Sequence, residues 1–271
     1  MFYQDLHAYI RNTSEEYDVL AKITQHPGRP KPLRVVDQIY MLPGSQLNQA
    51  KLVSDYLRGR EVVFVGDGDC MSLVTGILGK EKLVDPPAYM RVFDFDERIV
   101  KFVRDASQQF GFSDLIEAHY YNVRKPVPKA FFNQSDVFYT NPPYGSKNGG
   151  QSGIVFLARC MEFCKSAGSY GVAILPFHHH KAWSRDAMYN IQQFLNQNGY
   201  VVSEMLRGMH RYHLDDEPEL LSGTVIMDRV KALPPPYRKH IFKKEELRKF
   251  YGDSQKEFPD RIDENGIVVA Q

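Results

Sequence analysis

Short continuous apolar runs alternate along this chain with stretches whose apolar residues recur every three to four positions. The runs are Val62 to Val65, Val92 to Phe95, Asp136 to Thr140, Tyr170 to Leu175, Tyr200 to Leu206 and Thr224 to Met227. Strands covered on both faces read in this way, as near-continuous apolar segments. Helical spacing occupies Met71 to Gly79, Glu97 to Phe110, Gly153 to Ser166 and Trp183 to Asn198. Strand and helix repeated with short connections predict an α/β fold with a mostly parallel sheet and helices on both faces. Between Leu206 and Thr224 the polar stretch RGMHRYHLDDEPELLSG has little helical pattern. The last strand is therefore expected to pair antiparallel.

The two ends differ from this alternating middle. Residues 1–35 hold one helical pattern, SEEYDVLAKITQ, and a Pro/Gly/basic linker, HPGRPKPLR. Residues 36–230 carry the alternation. Residues 231–271 run through PPPYRKH and KKEELRKF, which predict a basic helix and then a mobile tail. With 271 residues and 43% hydrophobic content, the chain is long enough for one large core. Its 34 basic and 33 acidic residues nearly cancel, so a nucleic-acid partner would need a local patch. The basic run from Arg229 to Lys249 is the one candidate; a solvated helix explains it equally well. No apolar run approaches the ~18 residues of a membrane span, and Asp5 and His7 interrupt any signal-peptide core, so a cytoplasmic protein is expected. Cys70, Cys160 and Cys164 form no CxxC pair, and the last two are one helical turn apart, as on a buried helix face.

Chemistry enters where the apolar runs stop. The first run ends in FVGDGDCMSL, a turn with Gly66 and Gly68 that leads into a helix and brings a cofactor close to backbone amides. Asp67 and Asp69 in that turn repel a pyrophosphate and favour a cationic group; capping of the following helix is their competing role. The second run ends in FDFDERIV. Asp94 is the first choice there to accept hydrogen bonds from ribose hydroxyls, with Asp96 the other candidate, which also reads as a helix cap backed by Arg98. Further on, Asn122 in YYNVRKPVP follows a third strand and could meet an adenine edge, or lie in a surface turn.

The run from Asp136 to Thr140, the fourth strand once the one before Asn122 is counted, ends in YTNPPY. Neither proline can extend a strand or a helix, so the chain turns sharply after Asn141. The Asn141 side-chain carbonyl and a neighbouring backbone carbonyl are then free to accept two hydrogens of an amine. Pro142 makes this cradle rigid, and Tyr144 supplies a flat wall. Two other clusters are weaker. His178, His179 and His180 in PFHHHKAW are adjacent and point in different directions, so no metal site is expected. Asp215, Asp216 and Glu217 in HRYHLDDEPE suit either a lid for a cationic amine or an ordinary exposed loop.

An open parallel sheet with one antiparallel strand near its end is the outline of the class I S-adenosylmethionine-dependent methyltransferase-like, Rossmann-like fold. DQIYMLPGSQ, VVFVGDGDCMSL, RVFDFDERIVKFV and NVRKPVP, followed by NPPY, resemble the catalytic domain of the branched-chain polyamine synthases, the bis(aminopropyl)spermidine synthase family. The resemblance covers roughly residues 36–230. It implies aminopropyl transfer from decarboxylated S-adenosylmethionine to a polyamine nitrogen. The family's acidic turn, Gly-Asp-Asp-Asp, corresponds to Gly66, Asp67, Gly68 and Asp69, and its Asp-Pro-Pro element to Asn141, Pro142 and Pro143. Both departures remove a carboxylate, which weighs against an aliphatic polyamine. The family's larger N-terminal winged-helix part is expected to be absent or much reduced. The same residues are similar to the amino methyltransferases that carry NPPY and act on nucleobases. In that group the segment like DQIYMLP covers the methionine end of the cofactor, which implies that Gln38 and Tyr40 line the pocket.

Two enzymatic readings therefore stand side by side, with a catalytically silent nucleoside-binding scaffold as a third. Asp67 and Asp69 attract the ammonium of the decarboxylated cofactor and repel the carboxylate of intact S-adenosylmethionine. Asp69 is expected to orient the nucleophile or the cofactor's amine. A small amine or polyamine is the expected partner, nucleic acid is weakly supported, no membrane is expected, and a homodimer is left open.

Overall fold

The computed structural model describes residues 11–166, 168–178, 180–215, 217–253 and 257–270. Seven strands form one sheet: β1 (Glu61–Val65), β2 (Tyr89–Asp94), β3 (Ile116–Tyr120), β4 (Val137–Thr140), β5 (Tyr170–Pro176), β6 (Tyr200–His210) and β7 (Ser222–Arg229). Their spatial order is β3-β2-β1-β4-β5-β7-β6. The first five run parallel, and β7 inserts antiparallel between β5 and β6. The expected antiparallel final strand is thus present.

Among the described residues, six α-helices flank the sheet: α1 (Ser14–Thr24), α2 (Pro43–Leu57), α3 (Met71–Lys80), α4 (Glu97–Gln109), α5 (Gln151–Phe163) and α6 (Ala182–Gln197). One core joins α1 to α4 with one face of the sheet, through Leu20, Leu47, Val74 and Val103. The other joins α5 and α6 with the opposite face, through Leu157, Phe163 and Ile191. Parallel crossovers that cover both faces explain why the strands read as continuous apolar runs. No helix among the described residues is long and apolar enough to cross a membrane.

Three segments differ from what the sequence pattern predicts. Helix α2 was not anticipated, although Pro43 sits at its first turn and Leu47, Ala50, Val53 and Leu57 are buried at helical spacing. Strand β6 continues to His210, four residues past its apolar run, with irregular pairing between Leu206 and His210 and a left-handed Gly208. Those irregularities break the alternation that would have marked it. Among the described residues of the C-terminal end there is no basic α-helix. A 3-10 turn at Lys244–Leu247 is followed by a hairpin of β8 (Pro259–Ile262) and β9 (Val268–Ala270). Phe242, Leu247, Phe250, Tyr251, Phe258 and Ile262 are buried in the α5 and α6 core, at intervals no single helix face provides. Their burial holds this segment to the body, where a mobile tail was expected.

Candidate functional site

Strands β1 and β4 are neighbours, yet the helices that follow them, α3 and α5, cover opposite faces of the sheet. The chain therefore diverges at the C-terminal ends of these strands and leaves a crevice, the usual ligand position in such sheets. A cavity of about 180 Å³ opens there. Its floor is the turn after β1, its far wall is the segment after β4, and the stretch before α2 closes one side.

The floor is acidic. Gly66 has φ +72°, and a Cβ there would lie 2.7 Å from Phe156 Cε1, so only glycine lets the turn pass under α5. Asp67 accepts hydrogen bonds from the Ser72 hydroxyl and amide at the start of α3. It is thus a helix cap that also lines the cavity. Asp94, at the end of β2, accepts from the Asp67 amide at 2.8 Å and the Asp96 amide at 2.9 Å. Asp69 accepts from the Met41 amide at 2.7 Å and from Asn141 Nδ2 at 2.8 Å. All three carboxyls are at most 5% exposed. Burial pushes Asp67 up to about 8 and Asp94 up to about 7, and burial also raises Asp69 against the Met41 amide, the Arg29 charge and the Asn141 amide. Among the described residues, none of the three forms an ion pair with a lysine or arginine.

The far wall is the NPPY turn. Asn141, Pro142, Pro143 and Tyr144 all line the cavity. Asn141 Nδ2 gives one hydrogen to Asp69, which orients the amide with its oxygen available to a ligand. The Tyr144 hydroxyl lies 2.5 Å from that of Tyr212, which lies 2.5 Å from Ser222 Oγ. Tyr40 lines the cavity under the Arg29 guanidinium, 4.3 Å from its ring centroid, with its hydroxyl donating to the Pro30 carbonyl. Gln38 lines it too, held by Leu33 and Asp96. Gly68 completes the turn.

Two of the sequence candidates are not on this cavity. Asp96 is fully buried behind it, where it caps α4 through the Arg98 amide and pairs with the Arg98 guanidinium at 2.6 Å. Its role is to hold Gln38. Asn122 donates to the carbonyls of Pro259 and Asp260 and accepts from the Arg124 amide, so its amide is spent on anchoring β8. It borders a smaller recess with Asp94, Phe95 and Tyr251. His179 and Asp216 lie outside the described residues. Glu217 lines the cavity and pairs with Lys181, whereas Asp215 is exposed. Cys70, Cys160 and Cys164 are buried free thiols, and no group of three or more potential ligands is placed to hold a metal among the described residues.

The sequence pattern missed Asp37 and Tyr212, both on the cavity. Asp37 takes a left-handed conformation, φ 60°, just ahead of the segment that holds Asp69. Tyr212 arrives through pairing of Met41 with Tyr212 and of Tyr40 with His213. No local signal marks that contact.

Residues 14–266 match the family model for the branched-chain polyamine synthase A C-terminal domain. The chain belongs to the branched-chain polyamine synthase family. An N(4)-bis(aminopropyl)spermidine synthase of Thermus thermophilus is 32% identical over 186 residues, which are 68% of this chain and 50% of the relative. One of Thermococcus kodakarensis is 28% identical over 202 residues, 73% of this chain and 53% of the relative. The chain thus spans about half the length of these curated relatives. A crystal structure of the T. thermophilus branched-chain polyamine synthase holds N4-aminopropylspermidine and 5'-methylthioadenosine. It matches with a TM-score of 0.71 at 24% identity, over 89% of this chain and 68% of that one. A putative RNA methyltransferase of Pyrococcus horikoshii matches with a TM-score of 0.59 at 16% identity, over 80% of this chain and all (100%) of that one. These structures share the fold, which is the class I methyltransferase-like arrangement. Gly68 and Asn141 both line the cavity.

Proposed function

We propose that this chain transfers aminopropyl groups from decarboxylated S-adenosylmethionine to a polyamine nitrogen. The observation that carries the proposal is the Asp69–Asn141 pair. Asp69 fixes the Asn141 amide by its nitrogen, so the oxygen is presented to an incoming amine N–H and the amine lone pair is aimed across the cavity. The decarboxylated cofactor supplies a propyl carbon made electrophilic by its sulfonium. The residues fit it: three buried carboxyls, none in an ion pair with a lysine or arginine among the described residues, favour an ammonium and disfavour the carboxylate of the intact cofactor. Asp94 is suited to ribose hydroxyls, with Gln38 and Tyr40 at the methionine-derived end. Family membership and the T. thermophilus synthase at 32% identity support the same reading.

A polyamine nitrogen has a lysine-like pKa of about 10.4, so freeing its lone pair at pH 7 costs roughly 4 to 5 kcal/mol. A proton acceptor within reach of the bound amine has to take that proton. A second reading, methyl transfer to a planar amine, is favoured by the neutral Asn141 amide beside the Tyr144 ring. Calorimetric titration with each cofactor, followed by mass analysis of a polyamine panel, separates the two. Preference for the decarboxylated cofactor with aminopropylated products supports the proposal. Preference for the intact cofactor with methylated products replaces it by the second reading.

A further inference from the structure

A chain of hydrogen bonds leaves the cavity behind Tyr144. It runs from the Tyr144 hydroxyl to Tyr212 at 2.5 Å, from Tyr212 to Ser222 Oγ at 2.5 Å, and from Ser222 Oγ to His210 Nδ1 at 2.9 Å. His210 and Ser222 are completely buried, and Tyr144 and Tyr212 line the cavity. Beyond the imidazole, His210 Nε2 lies 2.8 Å from Gln49 Oε1, which also accepts from the Thr224 hydroxyl at 2.6 Å. Strand geometry sets up the arrangement: Ser222 and Thr224 are two apart on β7 and share a face, His210 pairs opposite Ser222, and α2 brings Gln49.

The direction of this chain follows from Gln49. With Gln49 Oε1 turned to the imidazole and also accepting from Thr224, His210 Nε2 carries the proton and Nδ1 is the acceptor. Ser222 then donates to Nδ1, Tyr212 donates to Ser222, and Tyr144 donates to Tyr212. Every link points from the cavity toward a buried base. Burial holds both tyrosine hydroxyls well above their ordinary range, so they stay protonated and pass protons as neutral groups.

We propose that Tyr144, Tyr212, Ser222 and His210 form a proton relay that takes the proton from the acceptor amine. This rests on the aminopropyl-transfer reading above. The acceptor ammonium gives one N–H proton to the Tyr144 oxygen, Tyr144 gives its own to Tyr212, Tyr212 to Ser222, and Ser222 to His210 Nδ1. The freed nitrogen lone pair forms the new nitrogen–carbon bond as the carbon–sulfur bond breaks and its electrons stay on sulfur. The imidazolium returns one proton by the reverse route when product leaves, so each turnover releases one proton to solvent. Tyr144 is the member that meets the amine; Tyr212, Ser222 and His210 act through it.

The test compares Ser222→Ala, Ser222→Thr and Tyr212→Phe on two acceptors, a polyamine and an alkoxyamine that is already neutral at the assay pH. On the polyamine, Ser222→Ala and Tyr212→Phe are expected to lower kcat about 100-fold with KM nearly unchanged, and Ser222→Thr is expected to restore most of it. On the alkoxyamine, which needs no deprotonation, the same variants are expected to stay within about threefold of wild type. Equal losses on both acceptors would overturn the relay, because that is the pattern of general structural damage. A second measurement does not depend on turnover: long-range ¹⁵N–¹H spectra, assigned with His210→Gln, report the His210 tautomer. Protonated Nε2, with an Nδ1 resonance that moves in Ser222→Ala, is expected; protonated Nδ1 overturns the relay. Wild-type protein that aminopropylates no amine would refute the transfer reading, and the tautomer would then decide the relay by itself.

Discussion

Cofactor binding is predicted to be proton-linked, with affinity rising from pH 6 to pH 8.5. The perturbation is pH itself, acting on the buried floor of the cavity. Asp67 is pushed up to about 8 and Asp94 to about 7, in both cases by burial first, so both are largely protonated at pH 6. A neutral carboxyl offers a cation little, and each pKa unit below ionisation costs about 1.4 kcal/mol, or tenfold. Asp67 alone then weakens the decarboxylated cofactor by about 100-fold at pH 6, and Asp94 adds up to about tenfold more. The sign for stability is opposite in the unliganded protein. A carboxyl raised in the folded state keeps its proton after the unfolded chain has lost it, so stability falls as pH rises from about 4 toward 8. A bound cation reverses that loss. Calorimetric titration of the decarboxylated cofactor at several pH values, in buffers of differing ionisation enthalpy, reads both the affinity and the protons released. Proton release near pH 7 with the expected slope supports the reasoning. Affinity that is flat or falls between pH 6 and 8.5 refutes it, because the acidic floor would then be ionised or would not face the ligand.

Other consequences follow from single contacts. Asp69→Asn and Asn141→Ala are each expected to lower kcat by about 10² or more, since one removes the tether and the other the acceptor oxygen; steady-state assays on a polyamine check this, and unchanged turnover in both would remove the site assignment. Arg159 is completely buried, paired with Glu162 and donating to the carbonyls of Val123, Arg124, Tyr237 and His240. Arg159→Met removes the ion-pair partner of the buried Glu162 and is expected to cost about 3 to 5 kcal/mol in denaturant unfolding. Asn122→Ala removes two donors to β8 and is expected to cost about 1 to 2 kcal/mol, seen as faster hydrogen exchange in residues 257–270 with little change in cofactor affinity.

The sequence by itself determined the strand and helix alternation, the antiparallel strand near the end, and the two motifs that make the site. These are local properties. Gly66 is required by its own φ and the ring beside it, and two prolines end β4 wherever that strand is packed. Asp69 and Asn141 were legible because each lies in the turn that follows a strand, and strand ends of a parallel sheet converge. The tertiary structure decided the rest. Asp94 and Asp96 are two residues apart and chemically identical, and only the packing of Gln38 and Arg98 turned Asp96 away from the cavity. Asn122 went to the C-terminal hairpin instead of a ligand because buried aromatics, spaced irregularly between Phe242 and Phe258, fold that segment back onto the body. The relay joins positions far apart along the chain: Gln49 and His210 are 161 residues apart, and Tyr144 and Tyr212 are 68 apart. Hydrogen bonds act over about 3 Å, and no periodicity along a chain encodes which distant groups reach that separation.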